Sequence, residues 1–92
     1  MRPRGGGLAH RPAKPPKKAP EVLNNIGIAY EELGDYENSI IHYKKAISQK
    51  QNYAEAYNNL GNVHLYQDAL DEAINAYKKA ILLKPNLSLI HI

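Results

Sequence analysis

The apolar positions of this chain recur with helical spacing in four consecutive stretches. Leu23, Ile26, Gly27 and Tyr30 fall at i, i+3, i+4 and i+7, which is one face of an α-helix. Tyr36, Ile40, Tyr43 and Ile47 follow at i, i+4, i+7 and i+11. Tyr57, Leu60, Gly61 and His64 then copy the first spacing, and Leu70, Ile74, Tyr77 and Ile81 copy the second. The pattern predicts helices near residues 20–33, 36–50, 54–67 and 70–83, joined by turns short enough to make neighbours antiparallel. The breakers agree. Gly34 can take the left-handed conformation that ends a helix, and Asp35 can cap the next one. Pro85, in Lys84-Pro85-Asn86, has no amide hydrogen with which to continue the fourth helix.

The chain is also internally duplicated. Displacing it by 34 residues aligns residues 20–53 with residues 54–87, and 12 of the 34 positions are identical. Asn24-Asn25 matches Asn58-Asn59, Gly27 matches Gly61, and Tyr43–Ile47 matches Tyr77–Ile81. Chance agreement at roughly 5% per position would give about two matches, so the duplication is real and sets the architecture. The two glycines lie mid-pattern, where each costs about 1 kcal/mol relative to alanine. Periodicity continues beyond both, so they do not end their helices. Ser39 and Ala46 in one partner helix, and Ala73 and Ala80 in the other, are also small. Small residues facing small residues are expected to let paired helices approach closely, with dispersion contacts offsetting the glycine cost.

A helix–turn–helix period of 34 residues with these landmarks resembles the tetratricopeptide repeat. Leu23, Ile26-Gly27, Tyr30, Ser39, Tyr43 and Ala46 carry the resemblance in the first repeat. Tyr57, Leu60-Gly61, His64, Ala73, Tyr77, Ala80 and Pro85 carry it in the second. Gln51 stands where that family usually has proline, His64 replaces its tyrosine, and Asp68-Ala69-Leu70 replaces the turn that repeat one keeps at Gly34-Asp35-Tyr36. The resemblance implies an all-α fold, an α-solenoid of antiparallel helix–turn–helix repeats. Residues 1–19 form a disordered basic tail in this reading, 20–53 the first repeat, 54–87 the second, and 88–92 the start of a truncated or artefactual C-terminus.

It further implies a right-handed stack whose concave groove, lined by the first helix of each pair, holds a peptide or helix from a partner. By position the groove-facing candidates are Asn24, Asn25, Ile28 and Glu32, then Asn58, Asn59, Asn62 and Tyr66. Some members use a ladder of asparagines, one per repeat, to bond a partner's backbone, and Asn25 and Asn59 occupy that kind of position. The chemistry suits the task, because a carboxamide both donates and accepts and so reads a peptide unit without choosing its side chain. Against this stands the reading that polar residues merely fill a solvated face, although asparagine is a poor helix former. The variant of the groove that grips a terminal carboxylate needs lysine or arginine on the first helices, and neither helix has one.

Charge divides the chain in two. The net charge is +3 over 92 residues. Residues 1–20 carry six basic groups and no acid, whereas residues 21–92 carry six lysines against nine acids, leaving −3. Nucleic-acid affinity requires clustered cations that displace counterions from phosphate, so no nucleic-acid partner is expected for the folded part. The tail MRPRGGGLAHRPAKPPKKAP holds five of the six prolines and lacks the apolar side chains that offset ordering entropy. It reads as a flexible extension or an upstream stretch translated by mistake, with nuclear import or phosphate binding by Lys14–Lys18 as the alternative. It has no apolar h-region of a secretory signal. No run approaches the roughly 20 apolar residues of a membrane span. With no cysteine either, the cytoplasm is the expected compartment and no membrane contact is expected.

Catalytic chemistry is not legible. No nucleophile lies beside a base, Gly5–Gly7 precedes no Lys-Ser/Thr and no helix start, and His10, His42, His64 and His91 lack ligand spacing. No cofactor, metal or enzymatic activity is therefore expected. Lys44-Lys45 and Lys78-Lys79 read as solubilising charges near helix C-termini, where they complement the helix dipole. The tyrosines are core positions of the repeat, except Tyr66, which is assigned to binding. Leu87-Ser88-Leu89-Ile90-His91-Ile92 is what the codons CTG-TCT-CTT-ATA-CAC-ATC encode, and that stretch resembles a transposon mosaic end used as a sequencing adapter. The expectation is that the gene continues and these residues are read-through. Ala73, Ala76, Tyr77 and Ile81 would then present an apolar face awaiting a neighbour, through which the isolated polypeptide self-associates or stays loosely folded. The expected function is a scaffold or adaptor that binds a protein or peptide in the groove. The alternative is the substrate-recruiting arm of a larger enzyme such as a glycosyltransferase.

Overall fold

The computed structural model describes residues 18–84, so the tail and the residues from Pro85 onward, with the expectations placed on them, lie outside the described part. Four helices follow one another: α1 (Pro20–Glu32), α2 (Tyr36–Gln49), α3 (Ala54–Tyr66) and α4 (Leu70–Leu83). Each predicted span is met within one residue at either end. The chain forms no strand among the described residues. The fold is all-α, a stack of two antiparallel helical hairpins.

Local chemistry explains the boundaries. Pro20 opens α1 at a position whose amide has no helical partner in any case. At the other end of α1, Gly34 takes φ +79. Its amide donates to the Glu31 carbonyl at 3.0 Å, and the Asp35 amide donates to the Tyr30 carbonyl at 2.9 Å. That pair of bonds is the Schellman arrangement, which satisfies the last carbonyls of a helix. Asp35 then caps α2, its Oδ1 accepting from the Asn38 amide at 3.3 Å while Oδ2 accepts from Asn38 Nδ2 at 2.8 Å. The second repeat makes the same turn from different residues. Asp68 donates to the Leu65 carbonyl at 3.0 Å and Ala69 to the His64 carbonyl at 2.8 Å. Asp68 supplies the left-handed residue at φ 61, and Ala69 offers no side-chain cap. Packing of the hairpin imposes the turn there although its sequence departs from the better one.

Within each hairpin the second helix lays a tyrosine ring over the glycine of the first. A Cβ built on Gly27 would lie 2.6 Å from Tyr43 Cε1, and one built on Gly61 would lie 2.8 Å from Tyr77 Cδ1. The glycines are thus matched to aromatic rings, which corrects the expectation that they face small residues. Ser39, Ala46, Ala73 and Ala80 are nonetheless buried. A matching ion pair joins the start of one helix to the end of its partner in both repeats: Lys50 to Glu21 at 3.8 Å, and Lys84 to Glu55 at 3.2 Å. These exposed pairs are worth little individually, but they confirm that the halves fold alike.

The two hairpins meet where α2 packs on α3. One apolar cluster joins Tyr43, Leu60, Val63 and Ala76, with Ile28, Tyr36, Ile40 and Ile47 packed against it. A second joins Leu23, Ala46, Tyr53 and Ala56, again with Ile47 alongside. Ile47 therefore straddles both clusters. At the last described helix the structure corrects the sequence reading: Ala73 and Ala76 are buried within the second hairpin. The exposed apolar side chains of α4 are Leu70, Ile74, Ile81 and Leu82.

Candidate functional site

α1 and α3 lie side by side as the first helices of their hairpins, tied by a hydrogen bond in which Asn59 Nδ2 donates to Asn24 Oδ1 at 3.0 Å. The Asn-Asn pairs sit at the same phase in both helices, yet successive residues point about 100° apart on a helix, so each pair divides between two environments. Asn24 and Asn58 are 7% and 6% exposed. This corrects their assignment to the groove: they are interior polar residues, and Asn24 bonds the neighbouring repeat. Asn25 is exposed and Asn59 partly so. Asn59 has a divided role, one amide hydrogen holding Asn24 while the side chain stays partly exposed.

The remaining candidates differ similarly. Glu32 is exposed. Ile28 is half-buried against the Tyr43–Leu60 cluster and so contributes as much to the repeat joint as to a surface. Asn62 is partly exposed, and its Oδ1 accepts the Tyr77 hydroxyl. Tyr66 is 58% exposed, with its ring centroid 5.8 Å from that of Tyr36. The structure thus brings Asn25, Asn59, Asn62, Glu32 and Tyr66 to accessible positions on the first helices and withdraws Asn24 and Asn58.

Sequence reasoning missed Glu31. The Tyr43 hydroxyl donates to its Oε1 at 2.6 Å. Burial, and then this carboxylate, push the Tyr43 phenol far above its ordinary value of 10.0, so it stays protonated and donating. Burial raises Tyr77 too, and Tyr53 likewise, where the Glu21 and Glu55 carboxylates add to it. Glu55 is held below its ordinary value by its own backbone amide bond and then by Lys84. The signal for Glu31 was its place one turn beyond Gly27 on the helix face opposite Tyr43, but only the close packing of that ring makes the reach possible.

A second concavity also went unforeseen. Tyr57, Leu60 and His64 of α3, with Glu72, Asn75, Ala76 and Lys79 of α4, line an open recess of about 300 Å³. In the first repeat the positions of His64 and Ala76 hold Tyr30 and His42, whose rings lie 5.2 Å apart. The smaller pair leaves the space. His64 there has its pKa lowered by burial, with Lys44 adding to the effect and Glu72 opposing it. No group of His, Cys, Asp and Glu suited to hold a metal ion occurs among the described residues, and no described helix is long and apolar enough to cross a membrane.

Known proteins match the same span. The tetratricopeptide repeat profile covers residues 18–84. The chain is 42% identical over 55 residues to a protein O-mannosyl-transferase, tmtc2, of Xenopus laevis, covering 60% of this chain and 6% of that protein. It is 38% identical over 64 residues to the "Probable UDP-N-acetylglucosamine--peptide N-acetylglucosaminyltransferase SPINDLY" of Hordeum vulgare, covering 70% and 7%. It is 34% identical over 73 residues to the BBSome complex member BBS4 of Mus musculus, covering 79% and 14%. The chain spans less than a quarter of the length of the curated relatives it matches. With a duplicated 34-residue hairpin, ring-covered glycines and a matching profile over all the described residues, the chain belongs to the tetratricopeptide repeat family, whose repeats are non-catalytic protein-interaction modules.

Proposed function

We propose that the chain is a cytoplasmic adaptor module that takes an extended peptide segment of a partner protein along α1 and α3. The observation that carries this reading is the pair Asn25 and Asn59, accessible carboxamides at the same register of two adjacent helices. Such a pair can donate to and accept from successive peptide units. Tyr66 supplies an amphipathic ring for a side chain of the ligand. Neither first helix carries a lysine or arginine; Glu21 and Glu55 are paired with Lys50 and Lys84, but Glu31 and the exposed Glu32 keep the face acidic, so a neutral or basic segment fits better than an acidic one.

Peptides selected from a random library on the intact chain test the site. Asn25→Ala and Tyr66→Ala should each weaken a selected peptide by about 1–2 kcal/mol, roughly tenfold, with the helical circular dichroism unchanged. Asn59→Ala is less clean, since it also removes the bond to Asn24. Unaltered affinity in both of the first two variants would remove the site assignment. The second reading, a substrate-recruiting arm of a larger enzyme, draws support from the similarity to the two glycosyl-group transferases. The full open reading frame separates the two: a nucleotide-sugar-binding α/β domain downstream favours the enzyme, further repeats alone the adaptor.

A further inference from the structure

We infer that the recess between α3 and α4 seats an aromatic side chain of a partner protein, one whose ring carries an N–H or O–H, in the place that the His42 ring takes in repeat one. This goes beyond the peptide-binding reading, because the recess shares no residue with the candidate groove.

The duplication supplies the comparison. In repeat one the His42 ring of α2 leans on Tyr30 of α1, centroids 5.2 Å apart and planes 36° from parallel, and both residues are half-buried. The positions 34 residues on hold Ala76 and His64. One ring is gone and the other is smaller. The helices cannot close the gap, because the Tyr77 ring over Gly61 sets their separation as Tyr43 over Gly27 does in repeat one. What remains is the open recess of about 300 Å³.

Its lining suits a flat ring with one polar edge. Leu60 and Ala76, 7% and 6% exposed, form an apolar floor beside the rings of Tyr57 and His64. A ring laid there regains the tilted aromatic contact that Tyr30 and His42 make. Glu72 and Lys79 stand exposed at the rim. The carboxylate can accept the ring N–H or O–H, and the ammonium is attracted to a ring face.

The recess lies inside the described part. At 100° per residue, Glu72 and Lys79 sit about 140–160° round α4 from Ile74, so a helix seated on the Leu70, Ile74 and Ile81 stripe would leave the recess open. The neighbour on this side is repeat one, as the cluster shared by Ala76 and Tyr43 shows, and it does not fill the space. Sites for free small molecules enclose most of the ligand surface, whereas this one covers a face and an edge of a ring. The remaining contact must come from the polypeptide that carries the ring, as it does for the aromatic anchors of protein interfaces.

Indole titrated into the intact chain, followed by NMR, tests the ring site. The His64 ring protons should shift upfield and saturate at millimolar indole, while those of His42 stay in place. His64→Tyr with Ala76→His rebuilds the pair of repeat one and should abolish the shift, with circular dichroism checking the fold. Tyr30→His with His42→Ala does the reverse, opening repeat one and creating a second indole site there, so the inference stays testable if the filled variant unfolds. Peptides selected from a random library on the Asn25→Ala, Tyr66→Ala double variant, whose α1–α3 surface is impaired, should share one tryptophan, tyrosine or histidine. Indole should displace them, and the filled variant should bind them roughly tenfold more weakly. An unmoved His64, equal shifts with cyclohexanol, or no second site in the opened variant overturns the inference. So does indole binding without selected aromatic peptides, which would mark a free small molecule as the occupant.

Discussion

Replacing Gly27 with alanine sets two physical effects of known sign against each other. In an exposed helix the change would stabilise by about 1 kcal/mol through propensity alone. Here the new methyl would stand 2.6 Å from Tyr43 Cε1 and 2.7 Å from Cδ1. Carbon atoms in contact rest about 3.5–4.0 Å apart, so the ring or the helix must retreat by about 1 Å. The ring has nowhere to go: Tyr43 is 0% exposed, and its hydroxyl is held by Glu31 at 2.6 Å. Overpacking of a filled core costs about 1–3 kcal/mol, and a displaced ring also weakens the Glu31 bond. The net expectation is a loss of about 1–2 kcal/mol, or a fall of roughly 4–8 °C in Tm for each kcal/mol in a domain of this size.

Urea unfolding followed by circular dichroism measures it, with the slope unchanged if only the native state is affected. The equivalent Gly61→Ala provides an internal control. Its methyl would meet Tyr77 at 2.8 Å, but that ring is only partly buried and can swing outward, so a smaller loss is expected. A Gly27→Ala protein that melts higher than the wild type would refute the ring-over-glycine account. Equal losses at the two sites would refute the part of it that rests on the burial of Tyr43.

The second turn can be improved toward the first. Asp68→Gly relieves a left-handed non-glycine residue at φ 61, and Ala69→Asp adds the cap that Asp35 supplies in repeat one. Each should stabilise by about 1 kcal/mol in thermal melts, and no gain from either would show that the turn is not where α3 and α4 lose stability. Ser39→Ala should be neutral or stabilising by up to about 1 kcal/mol, because the buried hydroxyl beside Tyr43 makes no hydrogen bond of good geometry and Ala73 fills the same position in repeat two. A loss above that size in urea unfolding would mean the hydroxyl is bonded after all. His64 has a folded-state pKa below its ordinary 6.5, so the unfolded chain binds the proton more readily. Its neutral form favours the fold above pH 6.5, and stability should decline as pH falls below that value. His64→Gln should flatten the decline, and an identical pH profile in the variant would remove His64 as its source.

The periodic spacing of apolar residues and the 34-residue duplication determined the helices, their order and the family, because a helix needs only a continuous apolar stripe and local stops. Gly34-Asp35 could be read as a turn for the same reason: its chemistry is contained within a few residues. What tertiary structure decided is which side of each stripe meets which neighbour. Asn24 and Asn25 differ by one residue in a pattern that treats both as polar, yet one lies in the repeat joint and the other on the surface. The glycine partner was likewise settled by packing, since composition shows that space is needed at Gly27 without showing that the Tyr43 ring fills it. Ala73 and Ala76 point into their own hairpin while Leu70, Ile74 and Ile81 point away from it, a difference in phase that only the angle between α3 and α4 fixes. Helical periodicity is a local property of the backbone, whereas the burial of a given side chain depends on where another helix stops.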